Sequence, residues 1–175
     1  MFRAVRLIIA AVVLVAGCAP GGTVGGAMNP AADKPTITKA QALTRIEQLI
    51  DGTASAIRPK PQLDLYQPSL NDGLCLDPQD GGSEDRIVVS REYHLRGLPT
   101  TEDALKEVIA EVKAYWQSQG HDISGENENG LQLYAHSRPD DFLMSIGWAA
   151  GNVLTLGANS TCLWPNGTPE PSSTP

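Results

Sequence analysis

Four short alternating segments, 121–125, 131–136, 142–149 and 153–158, follow one another with only tight turns between them. Asn129-Gly130, Pro139-Asp140-Asp141 and Gly151-Asn152 mark the turns. Strands joined so closely pair antiparallel, because a parallel partner needs a crossover of roughly a dozen residues. In the third segment Phe142, Met144, Ile146 and Trp148 share one face, and Leu143, Ser145, Gly147 and Ala149 share the other. A two-residue loop after it would set Trp148 opposite Val153 or Thr155; a three-residue loop of Ala150, Gly151 and Asn152 would align it with Leu154 and Leu156. The second register buries more apolar area and is the expected one.

The residues before this meander supply its cover. Leu105, Val108, Ile109, Val112 and Trp116 form one apolar stripe of a helix. Thr100-Thr101-Glu102-Asp103 gives that helix a cap and favourable N-terminal acids, and Gly120 a stop. Arg86 to Arg96 alternates as a strand, with Ile87, Val89, Tyr93 and Leu95 on one face and Val88, Ser90, Glu92 and His94 on the other. Earlier still, Thr38 and Gln41 make a capping box ahead of Leu43, Ile46, Leu49, Ile50, Ala54 and Ile57 at helical spacing, with the helix over by Arg58-Pro59. Residues 58–85 hold Pro59, Pro61, Pro68 and Pro78 and read as an irregular segment. A loop of this length is unusual in a compact domain, so it is either functional or an ordered cover pinned at Cys75. The expected fold is α+β: a helix packed on an antiparallel sheet of about five strands, with an additional N-terminal helix. The opposite sheet face, with Val88, Tyr134 and Leu143 beside small residues, is either a groove or covered by the first helix. Coverage is the expectation, since that helix's apolar stripe needs a partner. Trp116 and Trp148 are expected in the core, with Trp164 packed locally.

At the other extreme of order, Arg3 and Arg6 precede an apolar run, Leu7 to Ala16, of ten residues. A spanning helix needs about 20, so the run fits a signal peptide better than a retained transmembrane anchor. Its end, Val15-Ala16-Gly17-Cys18, resembles the lipobox of bacterial prolipoproteins. That resemblance implies cleavage after a signal peptide of residues 1–17 and lipidation of the Cys18 thiol. Several acyl chains hold a bilayer stably where one, at about 0.8 kcal/mol per buried CH₂, does so marginally. The alternative is an ordinary secretory signal cleaved near Ala19. Residues 18–36, rich in Gly and Pro, then read as a flexible tether.

With Cys18 given to lipid, two of the three cysteines remain. In an exported chain Cys75 and Cys162 are expected to form a disulfide. In the chain-entropy model a loop of nearly ninety residues is stabilised by about 4 to 5 kcal/mol when so closed. Two separate buried thiols are the competing reading; a metal site is not, since neither cysteine has a second Cys or His at ligand spacing. Residues 37–164 form the expected single domain, and residues 165–175 a disordered Pro/Ser/Thr tail. Asn159-Ser160-Thr161 and Asn166-Gly167-Thr168 are chance matches to a glycosylation pattern.

Charge excludes some occupations. The chain has 13 Lys and Arg against 20 Asp and Glu, which becomes 11 against 20 once Arg3 and Arg6 leave with the leader. Nucleic-acid binding, which needs phosphate-neutralising basic patches, does not fit. Nor does polybasic attachment to a membrane surface. His94 and His136 could share a metal on the polar sheet face, but they lack H-x-x-x-H spacing and read better as half-exposed strand residues. No G-x-S-x-G or S-x-x-K is present, and Ser90 with His94 is too slight for a hydrolase. The carboxylate pairs Asp140-Asp141, Glu84-Asp85 and Glu126 with Glu128 sit in polar turns. The Asp77–Asp85 segment departs from an EF-hand loop. No catalytic, cofactor-binding or metal residue is therefore assigned.

The whole plan resembles the small lipoproteins of actinobacteria, including the mycobacterial LppA-type group. The shared features are a lipobox, a Gly/Pro/Ala tether, a helix, a cysteine in a loop, a helix inserted in a sheet, and a late cysteine near proline, here Cys162-Leu163-Trp164-Pro165. The resemblance implies an anchor on the outer face of the cytoplasmic membrane and supplies no catalytic residues. The expected function is a non-enzymatic binding or interaction module for an envelope protein, a cell-wall component or a small ligand. A secreted envelope hydrolase with an unrecognised site is the competing class.

Overall fold

A computed structural model describes residues 34–76, 85–149, 151 and 153–169. The leader, Cys18, the tether up to residue 33, most of the Asp77–Asp85 segment and residues 170–175 lie outside it.

The fold is α+β. Helix α1 (Lys39–Ala56) is followed by strand β1 (Gln62–Leu65), a 3-10 turn (Gln67–Leu70), and the short strands β2 (Gly73–Leu74) and β3 (Ile87–Val88). Then come β4 (Ser90–Arg96), helix α2 (Glu102–Ser118) and the meander β5 (Asp122–Glu126), β6 (Gln132–His136), β7 (Leu143–Ala149) and β8 (Val153–Asn159). Six strands make one antiparallel sheet in the order β1-β4-β8-β7-β6-β5, and β2 and β3 form a separate ribbon. The three-residue loop is the one used: Trp148 pairs with Leu154 and Ile146 with Leu156. Gly151, at φ 85°, takes the left-handed turn position that a side chain would oppose.

The capping box of α1 forms in full: Thr38 Oγ1 accepts from the Gln41 amide and the Gln41 side chain accepts from the Thr38 amide. At α2, Thr101 occupies the N-cap position without a side-chain cap, so Glu102 and Asp103 support that end through their charge. Gly120, at φ 76°, ends α2 where the glycine was expected.

Both helices lie on the same face of the sheet. α1 packs over β4 and β8, α2 over β5, β6 and β7, and the two helices touch. Six strands at about 4.8 Å spacing span about 24 Å, while packed helices sit about 8 to 10 Å apart. One helix therefore covers only about half of such a sheet, and α1 finds its partner beside α2. This corrects the expectation that α1 covers the opposite face. The resulting core includes Ile46, Ile50, Ile109, Trp116, Leu133, Ile146 and Leu156. Trp116, fully buried, donates its Nε1–H to Thr53 Oγ1 at 2.8 Å, and Thr53 in turn donates to the Leu49 carbonyl at 2.7 Å. A polar ring nitrogen in the core is thus satisfied by a helix residue.

Three further expectations are corrected. Within the segment expected to be irregular, Gln62–Leu65 adds an edge strand to β4. Trp148 is 47% exposed and lines an open cleft beside the start of α2 together with Glu102 and Leu105. Residues 165–169 are docked: the Thr36 amide donates to the Gly167 carbonyl at 2.8 Å and the Lys39 amide to the Pro165 carbonyl at 3.0 Å. The Cys75–Cys162 disulfide closes a separation of 87 residues and joins the segment after β2 to the segment after β8. Among the described residues no helix is long and apolar enough to cross a membrane.

Candidate functional site

Side chains alternate along each strand, so the residues facing away from the helices can be read from the pairing register. Across the middle they run from His94 through Thr155 and Gly147 to Gln132, and one step along from Glu92 through Gly157 and Ser145 to Tyr134. This face is polar, with small residues at its centre and larger ones toward both sides. At its β1 side Arg96 holds Asp64 at 2.9 Å and approaches His94 Nδ1 at 3.3 Å, while the rings of Tyr66 and His94 lie 5.5 Å apart.

The 3-10 turn stands over this face and turns part of it into a cleft of about 300 Å³. Its wall is fastened to β4 by two bonds: the Tyr66 amide donates to the Glu92 carbonyl at 2.9 Å, and Ser69 Oγ accepts from the Glu92 amide at 3.0 Å. Ser90, Glu92, Ser145, Gly157 and Asn159 line the sheet side of the cleft. These residues come from three strands, and sequence reading missed them as a group. Their shared face was legible within each strand, but the β4 to β8 pairing that assembles them is long-range.

Among the described residues, further clefts flank the helix layer. One, of about 300 Å³, lies between Trp148, Leu131, Asn129 and the start of α2. Another, of about 240 Å³, lies between the helices near Arg45, His121 and Arg138. Its cations already face acids: Arg45 pairs with Asp140 at 2.5 Å, and Arg138 with Asp122 and Asp141. Burial, which would raise the Asp140 carboxyl, is outweighed by hydrogen bonds from Arg45 and Ser137, leaving it below the usual carboxylate range. Burial and the nearby Arg45 charge push the His121 imidazole down, so it stays neutral and its Nδ1 accepts from the Arg138 amide at 3.1 Å.

The remaining sequence candidates separate. His94 and His136 stand on strands three spacings apart, about 14 Å in that direction alone. Ser90 and His94 share a face of β4 but are four residues apart, about 13 Å along the strand. Asp141 faces Arg138 and His136, and Glu126 holds Lys113 at 2.5 Å. Among the described residues no group of three or more His, Cys, Asp or Glu could hold a metal ion. Cys75 and Cys162 are joined, and Cys18 lies outside the described residues. Compared with models of known protein families, with curated proteins and with solved structures, the chain matches none.

Proposed function

We propose that this chain is an extracytoplasmic lipoprotein of the cell envelope, held on the outer face of the cytoplasmic membrane by lipid on Cys18, whose folded domain is a non-enzymatic binding module. The observation that carries the binding role is the sheet face left uncovered by both helices, with a polar cleft built on it. A face with no role beyond solubility needs no wall fastened over it. The lipobox-like run Val15 to Cys18 and the Gly/Pro-rich tether support the anchoring. The disulfide supports an oxidising compartment, because such bonds are rare in the reducing cytosol.

The test compares the full chain with Cys18→Ala in cells. The native chain should sediment with membranes, incorporate a labelled fatty acid, and crosslink to envelope components that the variant loses or reaches less often. Equal membrane fractions and equal crosslinked partners for the two forms would contradict the anchoring.

A further inference from the structure

We infer that the cleft between the 3-10 turn and the uncovered sheet face is a subsite for one sugar unit of a glycan. Four of its side chains, Ser90, Glu92, Ser145 and Asn159, make no side-chain hydrogen bond among the described residues, although they come from three different strands and converge on one cleft. Together they offer two hydroxyls, a carboxamide and a carboxylate, a set of mixed donors and acceptors. Gly157 keeps the floor low: a Cβ there would lie 3.3 Å from the Arg91 carbonyl and 3.4 Å from Ser145 Oγ. Tyr66, 41% exposed, adds an aromatic ring to the wall.

The chemistry selects among ligand classes. An apolar ligand would leave four polar side chains desolvated and unpaired. An anion would meet Glu92 without a free cation, since the Arg91 guanidinium faces Glu47 at 3.5 Å and donates to the Ser90 carbonyl at 2.7 Å. A pyranose ring fits both demands. Its hydroxyls pair with carboxylate, amide and serine groups, and its C–H face lies against an aromatic ring. A volume of about 300 Å³ is at the lower end of small-ligand sites, which suits one ring rather than a long segment. The inference deepens the binding-module reading and rests on it only for the source of the glycan.

The experiment titrates the isotope-labelled full chain, in a detergent without a sugar headgroup, with N,N′-diacetylchitobiose, following backbone amide signals. A parallel arm measures retention of the chain on insoluble cell-wall glycan, which separates a polymeric source from a free sugar. Saturable shifts are expected at Tyr66, Ser69, Glu92, Ser145, Gly157 and Asn159. Glu92→Gln and Asn159→Ala should each weaken binding about tenfold or more while leaving other signals in place, as expected for the loss of a buried hydrogen bond. Gly157→Val, which fills the floor, should abolish it; if that variant misfolds, the two surface variants decide. Absence of saturable shifts, shifts confined to the Trp148 cleft, or unchanged affinity in both surface variants would overturn the inference. Whether Cys18 carries lipid does not affect this titration, so the anchoring and the sugar subsite fail separately.

Discussion

The two faces of the six-stranded sheet are made from alternate residues of the same strands, and they solve different problems. On β7, Met144 and Ile146 are buried under the helices while Ser145 and Gly147 face the open side. The covered face holds the fold together through apolar contact. The open face keeps polar groups unspent, and its only lid in the described residues is a short turn fastened to the edge of the sheet. A period of two in the sequence thus separates a packed apolar face from an open polar one on a single strand.

The largest expected effect concerns what holds the wall of the open face. Replacing Cys75 and Cys162 together by Ser should cost about 4 to 5 kcal/mol in urea unfolding. Amide exchange should then accelerate in α2 as well, since its core amides share the loss of global stability, and more strongly around residues 66–75, which the disulfide ties down. Uniform acceleration would mean that the wall and the core are one unit. Trp116→Ala tests the covered face and should cost about 3 to 5 kcal/mol, since it empties a core site and leaves Thr53 without its donor. Ile146→Ala should cost about 2 to 5 kcal/mol by the same measurement.

The pH dependence is a smaller effect. His121 has a lowered folded-state pKa, so below about 6.5 the unfolded chain binds more protons than the folded one. Stability should therefore fall as pH drops from about 6.5 through the lower folded value, and His121→Gln should flatten that part of the curve. An unchanged slope in the variant would assign the loss to other groups. Smallest of all, Ser145→Ala should shift stability by no more than about 0.5 kcal/mol, although it adjoins Ile146. A large loss there would show that the open face carries structural weight and would weaken the contrast between the two sides.

Local patterns made much of this fold legible. The α2 stripe, the α1 capping box and the turns of the meander depend on neighbours in sequence, and so does the choice of a three-residue loop after β7. Features set by distant partners were not legible. Leu63 and Leu65 alternate, but β1 is too short and too close to Pro61 and Pro68 to declare itself without β4 beside it. The choice of sheet face for α1 depends on the width of the sheet, which needs the β4 to β8 pairing. Trp148 looked like core because its strand period is correct, yet it lines an open cleft beside the start of α2 and stays half exposed. Of the open cleft, the sequence showed the polar face of each strand and neither the order of the strands nor the turn above them.

The docking of Thr36 against Gly167 and Trp164 also decides how the domain would respond to force. A pull arriving along the N-terminal segment reaches the fold at Thr36, whose amide bonds Gly167 at 2.8 Å and whose hydroxyl accepts from the Trp164 amide at 2.9 Å. Two residues before Trp164 stands Cys162, covalently tied to Cys75. Tension arriving there therefore meets a cross-linked corner in the segment after β8.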